Sequence, residues 1–170
     1  VSPLGNRLLR LSVPPCNITV TYNATVNLDA ERADATDLAE TPFEQLSSDI
    51  LPYLNPSRYC ESDKLLDFAM NQFGTLLPGY SRVTAICNWI YEELSYTPGS
   101  TGPTTTACEV LELKQGVCRD FAHVGISFCR AMGIPARYVA GYAVNLNPPD
   151  FHGFFEAHLD GRWFLFDATR

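Results

Sequence analysis

Basic residues are few in this sequence: Lys and Arg number 12 against 19 Asp and Glu, a net charge of −7. Nucleic acid and anionic membrane both call for a basic face, so neither is expected as a partner. No apolar run is long enough to span a bilayer, and no signal peptide is visible in the sequence, which begins at Val1 rather than Met. No two of the six cysteines form a CxxC pair, which argues against a structural zinc site. No carboxylate cluster has the spacing of a calcium loop. No metal and no other cofactor is therefore expected. Histidine is scarce too, only three in 170 residues, so any base catalysis by imidazole has three candidates.

At 46% apolar and 18% charged residues, the composition is that of a globular protein rather than a disordered one. The length suits one sizeable domain, or one domain and part of another. The cysteines, Cys16, Cys60, Cys87, Cys108, Cys118 and Cys129, are loosely spaced for a disulfide framework. Cys87, Cys108 and Cys129 fall inside apolar patterns and read as small core residues. Reduced thiols in a cytoplasmic enzyme are the expectation. Two glycosylation sequons begin at Asn17 and Asn23, a pattern short enough to arise by chance.

Residues 8–13 are expected as a strand. Residues 17–28 alternate strictly, with Ile18, Val20, Tyr22, Ala24, Val26 and Leu28 on one face, and predict a half-buried strand. Residues 29–61 read as an acidic, irregular connector with a short helix near 43–50. Ser62 is expected to cap a helix ending near Phe73, with Gly74 as its left-handed stop. Ser81 is expected to cap a second helix, with Val83, Ile86, Cys87, Ile90 and Leu94 as its apolar stripe. A turn-rich loop at 95–106 leads to a short helix over 106–114, ending at Gly116. The helix starting at about Cys118 is apolar on most sides, so it should be central, and Gly133, Ile134 and Pro135 should stop it. Residues 136–146, 152–159 and 162–168 read as strands, the last two joined by a hairpin at Asp160-Gly161. Boundaries are expected at 1–50 for a partial β-rich accessory region with linker and at 51–170 for a core. The fold class is α+β, a central helix on an antiparallel sheet.

Cys118 stands where a loop meets the first turn of that helix. The free N–H groups and the dipole there favour an anion, so the position suits a thiolate nucleophile. Free cysteine is also among the most buried residue types, so position alone does not decide its role. His123 lies five positions on, roughly 140° around the same helix, and is a poor partner for Cys118. A two-residue turn at Asp160-Gly161 sets the hairpin register: Phe154 faces Asp167, and His152 faces Thr169. His152 and Asp167 are then diagonal neighbours about 7–8 Å apart at Cα, close enough for a carboxylate to reach an imidazole. His158 pairs with Trp163 and sits about 13 Å away along the strand. The predicted triad is Cys118 as nucleophile, His152 as base and later acid, and Asp167 as orienting carboxylate. The Cys118 N–H is the first oxyanion donor, and the sequence does not identify a second.

The segments GVCRDFAHVGISFCRAMGIPARYVAGY (116–142) and HGFFEAHLDGRWFLFDAT (152–169) resemble the transglutaminase-like superfamily, its bacterial members above all. NWIYEELSYTPGSTG (88–102) resembles the segment before the family's nucleophile. The resemblance covers about 62–169 and implies a transglutaminase/papain-like core with Cys118, His152 and Asp167 as its triad. Residues 1–50 resemble the end of the family's accessory β domain, and related proteins continue past Arg170. The family's His-Ala-Trp reads His152-Gly153-Phe154 here, which alters the groove but removes no catalytic group. The implied activity is cleavage or transfer of an amide acyl group through a thioester, as a cysteine protease, amidase or transglutaminase. Hydrolysis is favoured because nothing marks a lysine-acceptor site. The expected partner is a protein or peptide with a carboxamide or peptide bond. An acyltransferase acting on small molecules and a catalytically idle binding scaffold are the alternatives.

Overall fold

The computed structural model describes residues 5, 6, 8–23, 25, 27, 38–147 and 149–169. The chain divides into two compact units, Val1–Arg32 and Ala33–Arg170. In the first, the strands expected at 8–13 and 17–28 are not formed by the described residues. Ile18, Val20 and Tyr22, the intended buried face, are at least half exposed. Alternation makes a strand only where a neighbour supplies hydrogen bonds and covers the apolar face, and none does so among the described residues. Ala24, Val26 and Leu28 lie outside them.

The second unit is α+β. Its helices are α1 (Leu66–Phe73), α2 (Tyr80–Glu93), α3 (Ala107–Leu113) and α4 (Cys118–Ala131). Its strands are β1 (Ser95–Tyr96), β2 (Gln115–Gly116), β3 (Ala136–Tyr142), β4 (Phe151–Leu159) and β5 (Arg162–Phe166). The helix expected near 43–50 is two separate 3-10 turns, Phe43–Gln45 and Leu51–Leu54. Strands β3, β4 and β5 form an antiparallel sheet with β4 in the middle.

Helix α4 is the centre of the core, with every residue from Asp120 to Cys129 buried. On one side it lies against β4: a Cβ added at Gly125 would come within 2.6 Å of the Phe155 ring, so only glycine permits this approach. On the other side Phe128 meets Trp89 of α2 and Phe73 of α1, with ring centres 5.5 and 5.4 Å apart. The stripe expected on α2, from Val83 to Leu94, is buried throughout.

Helix ends follow tertiary contacts more than local signals. Helix α2 starts at Tyr80 rather than after Ser81, because Gly79 at φ 107° turns its amide to Glu40 Oε1 at 3.0 Å. Glu40 also pairs with the buried Arg82 at 2.9 Å. Helix α1 begins at Leu66 and is not capped by Ser62, and Gly74 closes it in the right-handed region. Helix α3 carries a capping box between Thr106 and Glu109 and stops at left-handed Lys114, two residues before Gly116. The stop of α4 is as expected: Gly133 is left-handed at φ 79°, and Ile134 N–H donates to Cys129 O at 2.8 Å.

Candidate active site

The β4–β5 ladder has the register that a two-residue turn demands. Leu159 pairs with Arg162 and Phe155 with Phe166, and Asp160 and Gly161 both have positive φ. Continued one step, this register brings His152 and Asp167 to the same end and face of the sheet. His152 Nε2 lies 2.6 Å from Asp167 Oδ2. Thr169 steadies the carboxylate from the far side: its hydroxyl donates to Asp167 Oδ1 at 2.7 Å and its backbone N–H at 2.9 Å. Burial alone would raise the Asp167 carboxyl, but the hydrogen bonds from His152 and Thr169 outweigh it and hold the group below its usual range. With Nε2 committed to Asp167, Nδ1 is the nitrogen left to exchange a proton.

Cys118 is the first residue of α4 and is half-buried. Gly153, next to His152, links it to the sheet. A Cβ at Gly153 would lie 3.2 Å from both the N and Cα of Arg119, the residue after Cys118. It would also collide with the Tyr138 hydroxyl. The strand bearing His152 therefore presses directly on the turn bearing Cys118. Tyr138 belongs to the same cluster: burial raises its phenol and the charge of Cys118 raises it further.

Two residues of the site have no place in the sequence-based triad. Asp120, fully buried, accepts hydrogen bonds from the Val117 N–H at 2.9 Å, from Arg119 Nε and Nη2 at 3.0 and 2.8 Å, and from the Thr101 hydroxyl. Val117, at the N-cap, has no side-chain oxygen, so this carboxylate at the third helical position caps α4 alone and fixes the loop that presents Cys118. The signal was readable: an acid three residues past a cap position is a helix-start mark.

Tyr96 is the other. β1 and β2 form a two-residue parallel pair, Ser95 with Gln115 and Tyr96 with Gly116, tightened by Thr97 N–H donating to Gly116 O at 2.8 Å. That pairing brings the Tyr96 phenol beside Cys118. Burial raises the phenol first, the Cys118 sulfur raises it further, and a hydrogen bond from the Cys118 backbone pulls it back down. No periodicity announces so short a pairing. Its place in the segment 88–102 was the available hint.

The other two histidines are structural. His158 is buried, packs edge-on to Trp163 with ring centres 5.1 Å apart, and has its imidazole pushed down by burial. His123 lies between Tyr59 and Tyr138, each with its ring centre 5.4 Å away. Burial pushes its imidazole down to about 4. No disulfide links the cysteines among the described residues; Cys87 and Cys129 are buried as expected, and Cys108 is half-buried.

A cavity of about 770 Å³ opens at the pair, lined by His152, Asp167, Tyr96, Phe121, Tyr91 and the loop 143–146. An apolar hollow with a few convergent polar groups is the usual form of a substrate site.

The chain matches the Transglutaminase-like superfamily over residues 67–168, more than half its length. It is similar to a protein of Cytophaga hutchinsonii described as a candidate cysteine protease, with 53% identity and a TM-score of 0.76 over 78% of this chain and 46% of that one. The periplasmic domain of TgpA from Pseudomonas aeruginosa, solved bound to ethylmercury, shares the fold: TM-score 0.58 and 24% identity over 75% of this chain and 51% of that one. An uncharacterized protein of Mycobacterium leprae is 28% identical over 134 residues, 78% of this chain and 48% of the relative. The chain thus spans about half the length of these three relatives.

Proposed function

Since the chain belongs to the transglutaminase-like superfamily, we propose that it is a cysteine enzyme that cleaves or transfers an amide acyl group, with Cys118, His152 and Asp167 as its triad. The observation that carries the proposal is the 2.6 Å bond between His152 Nε2 and Asp167 Oδ2, made where Gly153 packs β4 onto the first turn of α4. Similarity to a candidate cysteine protease at 53% identity supports a protein or peptide as substrate.

In this reading His152 Nδ1 takes the proton of the Cys118 thiol, and the thiolate attacks the amide carbonyl. Asp167 fixes the tautomer and stabilises the imidazolium. The oxyanion accepts from the Cys118 N–H and from the Tyr96 hydroxyl, which supplies the second donor. The C–N bond breaks, and the amine leaves with the proton from His152. A thioester on Cys118 remains. Water, activated by His152, then releases the acid and restores the thiol; an amine in place of water gives acyl transfer. Asp120 is a positioning residue in this scheme, because it holds the loop and helix turn from which Cys118 projects.

Iodoacetamide at neutral pH tests the proposal, with modified cysteines mapped by mass spectrometry. Cys16 is the reference, being exposed and remote in sequence. Cys118 should react at least tenfold faster than Cys16, and His152→Ala should remove most of that advantage. Equal rates, or an advantage indifferent to His152, would end the triad assignment.

A further inference from the structure

A second cavity, about 400 Å³ in volume, lies on another side of the nucleophile and plays no part in the mechanism above. Its floor is one face of α4: Arg119, His123, Ile126 and Arg130 line it, at spacings of four, three and four. The eleven helical steps from Arg119 to Arg130 rise about 16 Å, so the floor runs from the residue beside Cys118 to the far end of the helix. Tyr138 of β3 and Tyr59 form the walls. Tyr138 is common to both regions, since its hydroxyl meets Gly153 and its phenol feels the charge of Cys118.

The lining has a definite chemistry. No carboxylate is among the lining residues, while two arginines stand at its two ends. Arg119 is neutralised by Asp120 at 2.8 Å. Arg130 is not neutralised. It donates to the carbonyls of Ala136 at 3.0 and 2.8 Å and of Asn55 at 2.8 Å, and forms no ion pair among the described residues. These bonds tie down the helix end and leave a whole positive charge at the far end of the cavity. Between the arginines the surface is aromatic and aliphatic. His123 contributes an uncharged ring that is only 9% exposed, and its Nδ1 has no hydrogen-bond partner among the described residues.

From this we infer that the groove along α4 binds an extended stretch of the peptide substrate, with an aromatic or apolar side chain seated among Tyr59, His123 and Tyr138 and an acidic group at Arg130. About 16 Å accommodates five extended residues at about 3.3 Å each. A cationic side chain meets the uncompensated charge of Arg130 and no carboxylate among the lining residues, so the groove rejects it. The inference rests on the acyl-transfer reading for its role in catalysis, but not for the binding itself.

The test uses Cys118→Ala protein with labelled isoleucine methyl groups, titrated by NMR with N-acetyl-Gly-Phe-Gly-Glu-amide. Two further peptides carry Lys in place of Phe and Lys in place of Glu. The Ile126 methyl signal should shift saturably with the first peptide, while Ile86 and Ile90 in the opposite core stay in place. Each lysine peptide should bind at least tenfold more weakly. A silent Ile126, or equal affinity for all three peptides, overturns the inference. Because the nucleophile is absent from this experiment, an unreactive Cys118 in the unaltered protein would sink the proposed function while leaving the binding result standing, and the converse also holds.

Discussion

His123 ties the stability of this protein to mildly acidic pH. Its imidazole is neutral because burial penalises the charged form; Asp120 opposes that effect and Arg119 adds to it. The walls facing it, Tyr59 and Tyr138, are aromatic rings, each with its centre 5.4 Å from the imidazole. In the folded chain the group titrates at about 4, against 6.5 in the unfolded one. Between those values the unfolded state binds the proton and the folded state does not, so stability falls as pH falls. At about 1.4 kcal/mol for each tenfold difference in proton affinity, the loss reaches about 2 kcal/mol by pH 5 and about 3 kcal/mol by pH 4. Other groups titrate over the same range, so the assay is a difference. Urea unfolding of the unaltered protein and of His123→Phe, from pH 7 to pH 4, isolates this one residue. Phenylalanine keeps the aromatic contacts and also removes the unpaired Nδ1. The variant should gain on the parent by about 3 kcal/mol on going from pH 7 to pH 4. A difference that stays flat to within about 0.5 kcal/mol would refute the argument, since it would mean that His123 titrates alike in both states.

Tyr96→Phe separates two reactions of one sulfur: acylation of Cys118 by p-nitrophenyl acetate passes through an oxyanion and should slow by about 10², whereas alkylation by iodoacetamide forms none and should not slow. Loss of both rates together would move Tyr96 from oxyanion stabilisation to a general effect on the thiol. Gly153→Ala places a methyl group against Arg119 and the Tyr138 hydroxyl and should cost about 1–3 kcal/mol in chemical denaturation. The cost should shrink by at least half in a Tyr138→Phe background, where the closest obstacle is gone; additive costs in the double variant would contradict the contact.

How much of this was legible beforehand differs from residue to residue. The His152–Asp167 pairing followed from a local signal, Asp160-Gly161, because a two-residue turn leaves the hairpin one register. The start and stop of α4 were equally local: a loop cysteine ahead of an apolar run, and Gly133 before Ile134-Pro135. What failed depended on distant partners. Glu40 moves the start of α2 by binding an amide 39 residues away, and no pattern around Ser81 contains that information. The alternation at 17–28 was real but had no neighbour among the described residues to complete it. Tyr96 reaches Cys118 through a pairing of two residues, too short to carry a period. Asp120 is the instructive omission. Its helix-start position is visible in the sequence, but the hydrogen bonds to Thr101 and Arg119 that make it hold Cys118 in place depend on the folded loop.

The turn at Asp160-Gly161 has a consequence for insertions and deletions. Surface hairpin tips normally tolerate a change of length, since few contacts depend on them. Here the two-residue turn holds the register: a third residue kept in the loop would leave the ladder in place, but one taken up into β5 would shift that strand by one position and turn every later side chain to the opposite face. Asp167 would point away from His152, although sheet, helix content and composition stayed almost unchanged. Many residues could occupy this tip, but the register it sets behaves like a reading frame for the chemistry: a slip of one at the exposed end of the sheet silences the carboxylate at the other.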